Sequence, residues 1–172
     1  SLQESDIPRV PVIGIAAGLR PLVSFENRTV YVDPVNGDDD NDGLTTGAPL
    51  RTIQEAVNRC PIFLYHVYII DLVSALPSAP TTGDPVIYDE DVLITNVFTF
   101  TRGDSVASIS HGLQIIGVGV APEDPAAVRV GSVTAVNVHG LATLYTQGFQ
   151  LMRVKPFYES AAAMAIFGSG EL

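Results

Sequence analysis

The chain has 172 residues, of which 47% are hydrophobic and only 16% are charged, and its formal net charge is −10. This length suits a single domain. The apolar composition has two interpretations, namely a surface that is partly covered in a larger assembly and a well-packed β protein with a polar but uncharged surface. Nine basic residues without a basic cluster argue against nucleic-acid binding, and the lack of an apolar run of about 18 residues argues against membrane insertion.

Residues 1–28 are predicted to form an extended arm. Pro8, Pro11 and Pro21 lie in or beside the apolar stretch 10–18, VPVIGIAAG. Proline and glycine at this density disfavour a helix. An apolar arm needs a surface to lie on, so we expect it to dock on this domain or to attach the chain to a neighbouring protein.

The next segment is predicted to contain one strand and one amphipathic helix. Residues 29–33, TVYVD, are rich in β-branched and aromatic side chains, which favour a strand. The acidic loop, defined as residues 36–44 (NGDDDNDGL), follows. Apolar side chains then recur at helical spacing over about residues 50–60 until Pro61 ends the run. They are Leu50, Ile53, Ala56, Val57 and the single cysteine, Cys60, which is predicted to be a buried inert thiol.

Beyond the helix, alternating apolar and polar residues predict short strands. The strand-like runs are residues 66–72, 91–95, 112–117, 126–130, 133–138, 141–145 and 149–154. Aliphatic residues within these runs recur 24, 22 and 22 residues apart, at Ile70, Ile94, Ile116 and Val138. A period of this length, with two or three short strands in each, predicts one coil of a parallel β-helix. A β-sandwich would also give short strands, but it explains neither this period nor a single helix ahead of the strands.

Residues 29–60 resemble the first segment of the right-handed parallel β-helix (pectin-lyase-like) superfamily. The matching positions are Asn36, Gly37, Asp42, Gly43, Leu44, Pro49, Leu50, Thr52, Ile53, Ala56 and Val57. Residues 113–119 and 136–154 resemble later coil strands of the same superfamily. The likeness therefore covers residues 29 to about 154.

The resemblance implies an all-β fold, namely a right-handed parallel β-helix with an N-terminal extended arm and one amphipathic cap helix. The β-helix domain is expected over residues 29–172, after the arm of residues 1–28. The helix at about 50–60 is expected to cover the exposed core and the open strand edge of the first coil. The C-terminal end is expected to be incomplete or covered by a partner.

The acidic loop has two interpretations. Asp38, Asp40 and Asp42 stand at alternate positions, as the first ligands of a calcium loop do, and Gly43 follows them. The twelfth position of such a loop, where calcium needs a bidentate Glu, is Pro49. The alternative is a solvated turn between the first strand and the helix, in which the glycines adopt positive φ angles. Apart from calcium, no metal or cofactor is predicted.

A second acidic cluster, Asp89, Glu90 and Asp91, follows Tyr88. Paired carboxylates could act as acid and as nucleophile or base on a glycosidic bond. The alternative, which the resemblance implies, is an outward turn that precedes an early coil strand. These three residues are the candidate catalytic residues of the sequence.

Proteins of this superfamily include secreted polysaccharide lyases and hydrolases, and bacteriophage tailspikes and tail fibres. Because four to five coils are fewer than the polysaccharide-degrading members generally have, the resemblance favours a structural role over an enzymatic one. The expected function is a structural component of a bacteriophage tail, within a tailspike or tail fibre of the virion, that contributes to host attachment. The expected partners are copies of itself in a homotrimer, tail or baseplate proteins bound through the arm, and host-surface glycans. The alternative is a secreted polysaccharide lyase or glycoside hydrolase of the β-helix class.

Overall fold

The structure is a computed structural model that describes residues 20–103, 105, 110–117, 125–142, 146–156 and 164–168. These residues contain nine β-strands, one α-helix and one short 3-10 helix. In chain order the elements are β1 (Arg28–Tyr31), α1 (Ile53–Asn58), β2 (Phe63–Leu64), β3 (Tyr68–Asp71), β4 (Val86–Thr99), β5 (Ser110–Ile116), the 3-10 helix (Pro125–Ala127), β6 (Val128–Gly140), β7 (Thr146–Met152), β8 (Lys155–Pro156) and β9 (Met164–Gly168). Residues 1–19 of the predicted arm lie outside the described residues.

The strands form two parallel sheets between which the chain alternates. The first sheet has the order β1-β3-β5-β7, and the second has the order β2-β4-β6-β8, with β9 also pairing with β6. Every pair of named strands is parallel. The prediction of a mostly β chain with one helix is therefore confirmed, and its strands are parallel.

The strand registers correct the predicted period. Ile70 in β3 pairs with Ile115 in β5, and Ile94 in β4 pairs with Ala135 in β6, so paired residues are 45 and 41 positions apart. The spacing of 22 to 24 residues separates successive strands that lie in opposite sheets. The expectation that about 22 residues complete one coil is wrong, because an aliphatic residue recurs wherever the chain faces the core, whichever sheet it belongs to.

The helix is shorter than predicted, and its local sequence explains both ends. Thr52 is the N-cap, and its Oγ1 accepts a hydrogen bond from the Glu55 N–H at 3.1 Å. After Asn58, Pro61 cannot donate a backbone hydrogen bond, which prevents continuation. Ile53, Ala56 and Val57 are buried on the inner face of α1.

The predicted strands need two further corrections. Residues 126–130 and 133–138 were predicted as separate strands, but β6 runs unbroken from Val128 to Gly140, and residues 126 and 127 belong to the 3-10 helix. Leu141 and Ala142 lie outside any strand, and the rest of the predicted run 141–145 lies outside the described residues.

The core contains the inward side chains of both sheets together with those of α1. Tyr68 and Tyr88 are its largest fully buried residues. The Tyr68 hydroxyl donates to Ala56 O at 2.8 Å, and the Tyr88 hydroxyl donates to Leu72 O at 2.6 Å. Burial raises the pKa of both phenols well above the usual value, so they remain neutral donors. These bonds satisfy the polar ends of two otherwise apolar side chains.

The backbone turns sharply at one residue within β4 and again at one residue within β6, and each of these turns is called a corner below. Asn96 and Asn137 have φ angles of 55° and 58°, in the left-handed region that Asn tolerates better than most residues. Their neighbours are paired in register, and the Asn137 side-chain amide donates to Asn96 Oδ1 at 2.7 Å. The two corners are therefore stacked and connected by their side chains.

Candidate functional site

The acidic loop is held by its own side chains and backbone. Asp38 Oδ1 accepts from Asp40 N–H at 3.0 Å, and Asp42 Oδ1 accepts from Leu44 N–H at 2.9 Å. Gly43 has a φ angle of 72°, as the turn interpretation requires, but Gly37 has no positive φ, so the expectation is wrong for that glycine. Two of the three calcium candidates, Asp38 and Asp42, thus bond to backbone N–H groups two residues ahead, which is typical of Asx turns.

The residue of this loop with the most partners is Asp39, which the sequence analysis did not single out. Its Oδ1 accepts from the N–H groups of Arg51 and Thr52 at 2.9 Å, and its Oδ2 accepts from Thr52 Oγ1 at 2.9 Å. It therefore binds the residues that lead into α1. The Thr52-x-x-Glu55 pattern was the available signal for this helix start, but it does not identify Asp39 as the partner.

The acidic loop and the segment after it cover the free edge of β1. Tyr31 N–H donates to Gly43 O at 2.8 Å, Leu50 N–H donates to Tyr31 O at 2.9 Å, and Asp33 N–H donates to Leu50 O at 2.9 Å. The Arg59 guanidinium also holds the loop, because it donates to the carbonyl oxygens of Asn41 and Asp39 at 2.6 and 2.7 Å. An edge strand with its backbone groups occupied cannot pair with another chain.

Glu90, a candidate catalytic residue, is bonded to the start of α1. Its Oε2 accepts from Ile53 N–H at 2.8 Å and its Oε1 accepts from Gln54 N–H at 3.0 Å. Burial raises the pKa of the Glu90 carboxyl, the nearby Asp39 carboxylate acts in the same direction, and the two hydrogen bonds oppose the rise. The carboxyl thus connects β4 to the helix at a place where helices have unpaired N–H groups.

The two neighbouring acids have different surroundings. Asp89 is exposed, and Asp91 Oδ1 accepts from Ser132 Oγ at 2.7 Å on the adjacent strand β6. The strand register shifts between Tyr88 and Asp91, which indicates a bulge at this cluster. The structure therefore places the three predicted catalytic candidates next to one another but gives two of them architectural partners.

Gln54 completes the connection between α1 and the edge of β4. Its side-chain amide donates to Leu93 O at 3.0 Å, and its carbonyl oxygen accepts from Leu93 N–H at 2.8 Å. The side chain thus replaces a neighbouring strand at this position. The helix lies against the strand edge where the sequence predicted a cap helix.

Residues 20–24, called the strap below, lie along the edge of β2. Val23 and Phe63 form a parallel bridge, and Phe63 N–H donates to Leu22 O at 2.9 Å. Arg20 anchors the beginning of the strap, because its guanidinium donates to the carbonyl oxygens of Cys60, Thr95 and Asn96. The strap was predicted only as part of an extended arm, and no local pattern identified Arg20 as its anchor.

A groove of about 360 Å³ lies beside the strap. The strap side of the groove includes Val23 and Phe25, and the domain side includes Leu64, Val67 and Tyr68. Leu64 and Tyr68 are core residues, so the floor of the groove is the outer limit of the core.

Aromatic rings on the outer side of the second sheet stack on one another. The Phe63 and Phe98 ring centroids are 5.6 Å apart, the Phe98 and His139 centroids are 6.0 Å apart, and the Tyr65 and Phe100 centroids are 4.8 Å apart. Each of these rings therefore has one face directed at another ring, while Tyr65 remains 55% exposed. The rings thus pack on one another as a cluster.

The described residues contain neither a metal-binding cluster nor a membrane-spanning helix. In this part of the chain, no group of three or more His, Cys, Asp or Glu side chains is arranged to hold a metal ion. No helix described here is long and apolar enough to cross a membrane. Calcium binding by the acidic loop stays a prediction.

Comparison with known proteins gave no relatives. The sequence matches no family model and no curated protein, and the fold matches no solved structure.

Proposed function

We propose that residues 29–172 form a right-handed parallel β-helix in which a coil consists of one strand from each sheet and its connections. The alternation of the chain between two parallel sheets supports this proposal, as does the offset of 41 to 45 residues in the central strand pairs. The right hand follows from the strong preference of crossovers between parallel strands for that hand. The stacked corners at Asn96 and Asn137 repeat one turn on adjacent coils.

The proposed function is a structural component of a bacteriophage tail, within a tailspike or tail fibre that assembles as a homotrimer. The observation that carries it is an uncharged outer surface on the second sheet, called the outer face and formed by Leu93 and Thr95 of β4 with Thr134 and Val136 of β6. Leu93 is 50% exposed and Val136 is 39% exposed. Exposed aliphatic side chains at diagonal positions on neighbouring strands suit a contact with another subunit.

The positions of the acidic residues also favour a structural role. Glu90 is engaged by Ile53 and Gln54, and Asp91 is engaged by Ser132, so both carboxylates stabilise contacts between elements. In the virion the domain would hold its position within the tail, while the beginning of the arm of residues 1–28, ahead of the parts that contact the domain, would attach to tail or baseplate proteins. Host-surface glycans are the proposed external target. The competing proposal remains a secreted polysaccharide lyase or glycoside hydrolase.

Oligomeric mass tests the trimer directly. Sedimentation equilibrium of the full chain should give three times the monomer mass of 18.3 kDa. Leu93→Asp should dissociate the trimer, because it places a charge in each subunit contact, whereas Val35→Asp should not. Val35 is a matched control, since it is 77% exposed and lies in the turn before the acidic loop. A monomeric wild-type chain would contradict the proposal.

A release assay separates the structural role from the enzymatic one. Full-length protein is incubated with host-surface polysaccharide, and the appearance of new reducing ends or unsaturated sugars is measured. The structural role predicts no release by the wild type. Release that is lost in Asp89→Asn or Asp91→Asn would instead establish the enzymatic alternative, and these two exposed residues can be changed without disturbing the contact of Glu90 with α1.

A further inference from the structure

The groove beside the strap reaches the edge of the core. Leu64 and Tyr68 belong to the core cluster and line the groove, although their own exposed fractions are only 0% and 2%. Pro61 and Val67 also line its wall. An apolar recess of this size that reaches the core is expected to be filled by other apolar groups.

The polar groups at the groove are largely engaged within the domain. Arg28 pairs with Glu26 at 2.9 Å, and Arg59 pairs with Glu55 at 2.8 Å and bonds to two loop carbonyls. Ser24 Oγ accepts from the N–H groups of Tyr65 and His66. These contacts leave the apolar walls as the main binding surface, which suits an uncharged and aliphatic occupant.

We propose that the groove holds residues 10–17 of the same chain, VPVIGIAA. This segment is uncharged, it contains four β-branched residues, Val10, Val12, Ile13 and Ile15, and it ends three residues before the strap begins at Arg20. Gly18 follows it. Gly18 adopts reversed backbone conformations readily, which allows the chain to turn back over the strap.

The chain length makes this docking geometrically possible. Ile13 precedes Arg20 by seven positions, and an extended chain spans about 3.3–3.6 Å per residue, so Ile13 reaches up to about 25 Å from Arg20. Pro21, the next residue after Arg20, already lines the groove. A short tether also gives the segment a millimolar effective concentration at the groove, which favours the same chain over a second copy.

A single tryptophan tests the proposal, because the chain contains none of its own. Ile13→Trp is introduced into the full chain, and its emission maximum is compared with that of Ser5→Trp, which lies outside the docked segment. We expect the Ile13→Trp emission to be shifted to shorter wavelength, as for a buried indole, and the Ser5→Trp emission to resemble that of a solvated indole.

Second substitutions identify the site and the source of the occupant. Adding Phe25→Asp to the Ile13→Trp chain should remove the shift, whereas adding Val35→Asp should preserve it. Phe25 lines the groove but is 75% exposed, so the domain should tolerate this change, which circular dichroism checks. The shift should persist on dilution to concentrations at which sedimentation gives a monomer.

Three results would overturn the proposal. These are a solvated emission of Ile13→Trp, a shift that survives Phe25→Asp in the folded chain, and a shift that disappears on dilution. The last result would show that a second copy supplies the segment. Because the inference depends on the groove and not on tail assembly, the trimer test of the proposed function can fail without affecting this outcome.

Discussion

The contact between Glu90 and α1 gives the most direct test of the architecture. Glu90→Ala removes both acceptors from the first N–H groups of the helix, those of Ile53 and Gln54. Each hydrogen bond to a charged group contributes about 1.5–3 kcal/mol when buried. The pKa of Glu90 is raised because burial of the carboxylate outweighs these two hydrogen bonds. Glu90→Ala relieves that burial but leaves the Ile53 and Gln54 N–H groups without their acceptor, which water replaces only in part at a half-buried site, so we expect a net loss of about 1–2 kcal/mol.

Urea unfolding followed by far-UV circular dichroism measures this loss at pH 7 and at one protein concentration. A loss of about 1–2 kcal/mol corresponds to a change of about 5- to 30-fold in the folding equilibrium, with an unchanged m value. Asp89→Ala is the matched control, because Asp89 is adjacent and exposed, and exposed substitutions usually stay within about 0.5 kcal/mol. Equal losses in the two variants would refute a role of Glu90 in holding the helix.

The other predictions concern pH, the corner, the thiol and the loop. Because burial raises the pKa of Glu90, folding favours its protonated carboxyl. This protonation-linked part of the stability is fully present below the ordinary carboxyl pKa and is lost as pH rises through the higher folded value, while the hydrogen bonds to Ile53 and Gln54 remain. The stability of wild type relative to Glu90→Gln should therefore fall over that range in urea titrations, and a pH-independent difference would be inconsistent. Asn137→Ala should cost about 1–2 kcal/mol in the same assay, through the lost bond to Asn96 and the strained φ, and Asn137→Gly should cost less; equal costs would argue against strain at the corner. Burial raises the pKa of the Cys60 thiol to about 12, so iodoacetamide at pH 8 should label it only in urea, and labelling of the native chain would contradict this. The turn interpretation of the acidic loop predicts that millimolar calcium leaves the melting temperature unchanged, whereas an increase would favour the calcium interpretation.

The strands could be predicted from the sequence, but their pairing could not. Alternation of apolar and polar residues marked the regions of β3, β4, β5, β6 and β7, because that pattern depends on one face being buried. It carries no information about which sheet a strand joins. Ile70 and Ile94 both face the core, yet they lie in different sheets, so the predicted coil was about half the observed offset between paired strands.

The roles of the acidic residues depended on contacts that are distant in the sequence. The acidic loop was correctly interpreted as containing a turn, since Gly43 and the aspartates carry local signals. Glu90, however, contacts residues 36 and 37 positions earlier, and Asp39 contacts residues 12 and 13 positions later. A carboxylate that caps a distant helix and one that belongs to a catalytic pair have the same appearance in a single sequence.

The anchor at Arg20 has a mechanical consequence. Tension on the chain immediately ahead of Arg20 passes into the strap through this residue. One guanidinium distributes the load over the carbonyl oxygens of Cys60, Thr95 and Asn96, which belong to two separate segments of the chain. Rupture would require several charge-assisted hydrogen bonds to break together before the strap could peel from β2. The domain therefore resists a pull on its arm at a single multidentate joint, and Arg20→Ala should lower the force at which the strap detaches.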